Sequence, residues 1–214
     1  MRYKCIIFDC DGVLVDSEEI TTKVLIELAA SLGLEINLEY ANKFFPGKSL
    51  QSIFQFIQER IDQPLPEDLE AQFRAKTFER FKKEIQPING ISELLEKLKI
   101  PFCVASSGPL HKIELNLTTT GLIDKFRGKM FSCYEVGKWK PDPAIFEYAA
   151  QRMGYAVEEC VVVEDSVYGV QAAKSGGFDV YGFANERNKE ALEKAGAIVF
   201  FRMEDLYPLL NATE

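Results

Sequence analysis

The chain opens on a short apolar run, Cys5-Ile6-Ile7-Phe8, that stops at once in Asp9-Cys10-Asp11-Gly12. No other stretch constrains the fold as strongly. A continuous apolar run without polar alternation reads as a strand covered on both faces, and such strands belong to parallel α/β sheets. Ligand crevices in those sheets open outside the carboxyl ends of the strands. The run therefore predicts two carboxylates delivered to that edge. In an extended chain Asp9 and Asp11 point to one side, because strand side chains alternate, and Gly12 lets the backbone turn tightly away. Two carboxylates this close repel each other, and a hard cation such as Mg²⁺, which takes oxygen ligands, relieves the repulsion. A clamped aspartate of this kind can act as a nucleophile. Taken alone, Asp-x-Asp-Gly is also the composition of an ordinary solvated turn, so the assignment depends on the rest of the chain.

Residues 18–32 carry Ile20, Val24, Ile26, Leu28 and Leu32 at near-helical spacing, closed by Gly33. Residues 50–61 and 67–81 repeat the pattern around breaks at Phe44-Phe45-Pro46-Gly47-Lys48-Ser49 and Pro64-Leu65-Pro66. No strand-like run falls between about residues 16 and 85, which predicts an all-helical insert. From Pro87 onward, strands and helices alternate. Apolar strands are expected at 102–105, 130–133, 161–163, 180–183 and 198–201, with helices at 91–98, 110–119, 144–153 and 169–175. Pro143 suits a first helical turn. Alternation of this kind implies a mostly parallel sheet flanked by helices with right-handed crossovers, a Rossmann-like α/β fold. The expected division is a core of residues 1–15 and 86–214 and an inserted α-helical domain of residues 16–85.

Composition narrows the function classes. The 214 residues are 47% hydrophobic and 27% charged, with a formal net charge of -8. That balance is ordinary for a soluble globular protein and argues against nucleic acid or an anionic membrane as the main partner. No stretch reaches transmembrane length, and Asp9 interrupts the first apolar run too early for a signal peptide. The five cysteines are odd in number, scattered, and free of Cys-x-x-Cys spacing. Cys5, Cys103 and Cys160 lie in or beside strand-like runs as small hydrophobes. A reduced, cytoplasmic protein is expected.

Four strand ends or the loops after them carry polar groups: Asp9 and Asp11, Ser106 and Ser107, Lys140, and Glu164 and Asp165. A phosphoryl group needs such a set, namely an in-line nucleophile, a cation on its oxygens, hydrogen-bond donors and a proton source for the leaving oxygen. Each position also has a plainer reading: a helix N-cap at Ser106-Ser107-Gly108, a surface lysine at Lys140, a solvated strand end at Glu164-Asp165. Their joint appearance after buried strands favours the site.

Asp9-Cys10-Asp11-Gly12, then Ser106, then Lys140-Pro141-Asp142-Pro143, then Glu164-Asp165-Ser166 resemble, in this order, the motifs of the haloacid dehalogenase superfamily. The likeness is to its β-phosphoglucomutase-like and sugar-phosphate phosphatase branch, and the helical insert resembles that family's cap. The resemblance implies Asp9 as nucleophile and Asp11 as general acid, then base, with its backbone carbonyl on the metal. It implies Ser106, helped by the backbone of Ser107 or Gly108, as a phosphate donor, and Lys140 as the cation between Asp9 and phosphate. Asp165 would ligate Mg²⁺, and Glu164 would ligate it or orient its waters. Gly47 and Lys48 resemble the substrate-selecting loop of the cap, whose closure would exclude water. An Asp at position 11 points to a phosphate ester, since the dehalogenases lack it.

The strings around Gly108, Trp139 and Ser166 resemble those of 6-phosphogluconate-type phosphatases, so a sugar-acid phosphate heads the candidate substrates. The expected partner is a small phosphorylated metabolite, and the expected state a monomer. A phosphosugar mutase is the alternative, although the mutases place a cap histidine where this chain has Thr21. A phosphate-binding regulatory protein without turnover is the third reading. His111 is expected on a helix surface.

Overall fold

The computed structural model describes residues 2–45 and 49–211. Its strands are β1 (Cys5–Phe8), β2 (Val15–Asp16), β3 (Gln86–Pro87), β4 (Phe102–Ser106), β5 (Met130–Ser132), β6 (Cys160–Glu164), β7 (Asp179–Phe183) and β8 (Ile198–Phe200). Four helices precede β3: α1 (Glu18–Ser31), α2 (Leu38–Phe44), α3 (Leu50–Gln58) and α4 (Leu69–Glu84). The rest are α5 (Ile91–Lys97), α6 (Leu110–Thr119), α7 (Ile123–Phe126), α8 (Cys133–Val136), α9 (Ala144–Met153), α10 (Val167–Ser175), α11 (Lys189–Ala195) and α12 (Met203–Asn211).

The chain divides into two compact units, Met1–Asp16 with Gln86–Glu214, and Ser17–Ile85. In the first, six strands form a parallel sheet in the order β5-β4-β1-β6-β7-β8. The fold is α/β, a parallel sheet flanked by helices. The strand order reverses at β1: the chain builds outward through β4 and β5 on one side and through β6, β7 and β8 on the other. This is the topological switch point at which open α/β sheets bind ligands.

Every residue of β1, β4 and β6 is buried, as continuous apolar runs require. Alternate residues serve the two faces. Cys5, Ile7, Cys103, Ala105 and Val162 pack with Ile145, Phe146 and Ala149 of α9 and Val170 and Ala173 of α10. Phe8 and Phe102 pack edge to face, as do Phe102 and Phe126. The register pairs Phe8 with Val104 on one side and Val163 on the other, so the groups just beyond these residues emerge together. All five cysteines are buried and unbridged, including Cys10 between the two aspartates. His111 lies on α6 and is exposed.

The second unit holds α1 to α4. Leu25, Ala29, Ile36, Ala41, Ile53 and Ile57 form its main buried cluster, and Phe54 meets Phe73 edge to face. The Ser49 hydroxyl caps α3 by accepting from the Ser52 N–H at 3.1 Å. The two connections between the units leave the first unit side by side, Val15 pairing with Pro87 and Asp16 with Gln86. Gly47 and Lys48, expected to form a substrate-selecting loop, lie outside the described residues. Among the described residues no helix is long and apolar enough to cross a membrane.

Candidate active site

The central strand delivers Asp9 to the switch point with its backbone still in the ladder, the Asp9 N–H donating to the Val163 carbonyl at 2.9 Å. The extended geometry ends there. The Leu14 and Val15 amides both turn back to the Cys10 carbonyl, at 2.9 and 3.1 Å, and Gly12 takes φ +82°. The two side chains are met by different lysines, Asp9 by Lys140 and Asp11 by Lys112.

Asp9 is bound by Lys140, whose ammonium also donates to Glu164 Oε1 at 2.6 Å and to the Ala105 carbonyl at 3.3 Å. The Lys140 side chain is only 5% exposed and that of Glu164 1%, so this is a buried acid–lysine–acid cluster and not a surface lysine before a proline. Its strength follows from dryness: water screens such pairs at a surface and does so far less in the interior. Glu164 spends its second oxygen inward. Oε2 accepts from the backbone N–H of Asp165 and Ser166 and from the Ser166 hydroxyl, at 2.8–2.9 Å. The Ser166 hydroxyl in turn caps α10 by accepting from Gly169 N–H at 3.0 Å. A Cβ on Gly169 would overlap the Glu164 carboxylate, so the glycine there makes room for it.

Burial pushes the Asp9 carboxyl up to about 7, opposed by the Lys140 charge and reinforced by Glu164 and Asp11. Burial works to lower the Lys140 ammonium, but Asp9 and Glu164 outweigh it and hold it above the ordinary lysine value. Lys112 is likewise disfavoured by burial and raised on balance by Asp11.

Asp11 is met from α6. Lys112 Nζ donates to its Oδ2 at 2.7 Å, and Asn116 Nδ2 to its Oδ1 at a long 3.5 Å. Reading the sequence did not single out either residue. The one available signal was their spacing of four on a helix that starts just after the Ser106 loop. Ser106 ends β4 and is 2% exposed. Its hydroxyl accepts from the Gly108 N–H at 3.1 Å, and the Ser132 hydroxyl ties down the Gly108 carbonyl at 2.7 Å. A hydroxyl that accepts from behind keeps its own proton to donate forward. Ser107 is exposed and faces Cys133, with Oγ 3.9 Å from Sγ. Trp139 is 47% exposed and packs edge to face on Tyr134.

Whether these residues suit a hard divalent cation is answered at Gly12. The Asp165 carboxylate occupies the space that a Cβ at Gly12 would fill. That brings an acidic oxygen set from β6 against the Asp9–Asp11 turn, with Asn188 Nδ2 steadying the Asp165 carbonyl at 3.0 Å. Carboxylates and a backbone carbonyl are the donors that Mg²⁺ takes, so the donor chemistry fits the ion, while among the described residues no three acidic, histidine or cysteine side chains are gathered as a ready-made metal site. Gly12→Ala is expected to cost about 1–2 kcal/mol from the positive φ alone, because the carboxylate can move aside more cheaply than the backbone can. Thermal melting against the native chain checks it.

Fold and site together define a class: a parallel α/β enzyme core with a buried, lysine-paired aspartate at its switch point. Comparison with known proteins gives the class its family. The model of haloacid dehalogenase-like hydrolases matches residues 3–177. The 6-phosphogluconate phosphatase of Escherichia coli K12 is 31% identical over 212 residues, covering 99% of this chain and 96% of that protein. Among solved structures, a conserved haloacid dehalogenase-like protein from Agrobacterium tumefaciens superposes with a TM-score of 0.88 at 32% identity, covering 98% of both chains. A haloacid dehalogenase-family hydrolase from Deinococcus radiodurans, solved with bound phosphate and sodium, gives 0.83 at 27% identity, over 98% of this chain and 95% of that one. The chain belongs to the haloacid dehalogenase-like hydrolase family.

Proposed function

We propose that this hydrolase is a Mg²⁺-dependent phosphomonoesterase that acts through an aspartyl-phosphate on Asp9, with a small sugar or sugar-acid phosphate as substrate. The observation that carries the reading is the buried Lys140 between Asp9 and Glu164 at the end of the central strand. A buried ammonium pins the nucleophile's carboxylate and puts positive charge where a phosphoryl group would sit. The name of the Escherichia coli relative and the phosphate in the Deinococcus radiodurans structure support the substrate class.

In this reading one Asp9 oxygen attacks phosphorus and the P–O bond to the sugar breaks. Asp11 gives a proton to the leaving oxygen, then takes one from the water that hydrolyses the aspartyl-phosphate and frees Asp9. Ser106, with the backbone at Ser107 and Gly108, donates to the phosphate oxygens. Asp9, the Asp11 carbonyl and Asp165 would hold Mg²⁺, which supplies charge against the phosphoryl oxygens. Glu164 is assigned the positioning of Lys140 and of the Asp165–Ser166 backbone, since both its oxygens are already engaged there. The Ser17–Ile85 unit is the proposed cap, with Gly47 and Lys48 as its proposed contacts to an anionic part of the substrate.

The test is phosphate release from 6-phosphogluconate and a panel of sugar, sugar-acid and nucleotide phosphates, with Mg²⁺ and with EDTA. Release that needs the metal and is highest for sugar-acid phosphates is expected; release from none of them sinks the reading. Metal binding itself is expected to depend on pH. Asp9 is raised to about 7 without the ion, so protons compete with Mg²⁺ for it below that value. Each pH unit lower is expected to weaken binding up to about tenfold, with little change above about pH 8. Calorimetric titration of the substrate-free protein from pH 5 to 9 measures this; a flat profile is the contrary result.

A further inference from the structure

The side chains of Lys112 and Asn116 are not needed to build α6, and one of them is a poor choice for packing. Ile113, Asn116 and Leu117 form the buried stripe of the helix. Asn116 is fully buried, yet its amide oxygen has no hydrogen-bond partner among the described residues. A buried amide with one unmatched oxygen costs stability that a leucine would not, so packing does not account for it. The other end of the same amide is aimed at Asp11 Oδ1. Lys112, one turn earlier, donates to Asp11 Oδ2, and its stem lies over the Ser106 loop, 3.3 Å from where a Gly108 Cβ would stand. One helix thus addresses both oxygens of one carboxylate, with a short contact to one and a long contact to the other.

We propose that Lys112 and Asn116 are positioning residues for Asp11: Lys112 anchors Oδ2 and Asn116 reaches Oδ1 from the same helix, so that α6 orients the carboxylate toward the reacting groups. The proposal rests on the phosphatase reading for what Asp11 does. It assigns α6 a part in turnover besides carrying the Ser106 loop into the sheet. An aspartate side chain left to itself rotates about its side-chain bonds, and holding its oxygens from α6 removes much of that freedom before substrate arrives.

The experiment compares two esters in single-turnover mode. Cleavage of 6-phosphogluconate expels an alkoxide and needs a placed proton, whereas cleavage of p-nitrophenyl phosphate expels a stabilised phenolate and does not. Lys112→Met and Asn116→Leu are expected to slow alcohol release at least about tenfold, with KM changed less than about twofold and p-nitrophenol release changed little. Lys112→Arg, which keeps a donor, is expected to recover part of the loss. Equal slowing on both esters would mean general damage to the site, and a raised KM at unchanged rate would make Lys112 a substrate contact; either overturns the proposal.

The pairing is also read without turnover. Melting temperatures of Lys112→Met, Asp11→Asn and the double variant should be non-additive, the double no less stable than the worse single. Additive shifts overturn the pairing. Absence of turnover in the native chain on both esters instead overturns the phosphatase reading, and the role in turnover with it.

Discussion

Asp9→Asn is expected to abolish phosphate release, with a loss of at least about 10⁴-fold, while leaving the protein folded. In the proposed reaction the amide has the shape of the acid but no negative charge to attack phosphorus, so no aspartyl-phosphate is expected on the variant. Folding should survive because the change does not strand Lys140. Its ammonium still has Glu164 Oε1 at 2.6 Å and the Ala105 carbonyl at 3.3 Å. Removing a buried negative charge also relieves the burial that pushes Asp9 upward. The expected melting temperature is therefore close to that of the native chain, within the shift that about 1–2 kcal/mol would produce. Rapid quench with labelled substrate should trap phosphate on the native protein and none on the variant. A variant that retains turnover would remove Asp9 from the nucleophile's role.

Lys140→Met is expected to have the largest effect on stability. Its ammonium is the shared partner of Asp9, whose side chain is 10% exposed, and of Glu164, at 1%. Deleting it leaves two carboxylates close together in a dry site, and breaking a buried pair in this way costs about 3–5 kcal/mol. For a chain of this size that corresponds to a drop of roughly 10 °C in melting temperature. The pH dependence has a definite sign. Asp9 already stands above its unfolded value, so its charge penalises the folded state as pH rises from the ordinary carboxylate range toward 7. Without Lys140 that penalty grows, and the deficit against the native chain should be smaller at pH 5 than at pH 8. Lys140→Met/Glu164→Gln should regain part of the loss, because glutamine keeps an acceptor for the Asp165 and Ser166 amides and brings no second charge. A double variant no more stable than the single would show that charge is not what Lys140 balances.

Both expectations turn on groups that could be seen in the sequence but not weighed there. The apolar runs ending at Phe8, Ala105 and Val163 were legible as buried strands because two-sided burial accounts for three or four apolar residues without alternation between turn signals. The polar groups after them followed, and so did α9, which spans residues 144–153 as its spacing predicts. Other elements were not legible. α7 and α8 are four residues each, too short for a helical period to show. α12 runs through Pro208, which locally argues against a helix; burial of Met203, Leu206 and Leu210 outweighs it.

The order of chemistry along the chain, with an acid pair at one strand end, a hydroxyl loop at the next, then a lysine and a second acid pair, was written in the sequence itself. So was the α/β class, since alternating apolar runs and helical stretches admit few topologies. What each charged group is worth was decided only by tertiary structure. Lys140 reads locally as a solvated lysine and becomes the buried hub of the site because β1, β4 and β6 come together around it. Glu164 turns its second oxygen inward because Gly169 leaves it space. Asp11 has a lysine of its own because α6 brings Lys112 to it from 101 residues further along the chain. The physical reason is the same in each case. Burial and partnership depend on residues far apart in the chain, and a charge changes its energy by several kcal/mol between water and a dry pocket.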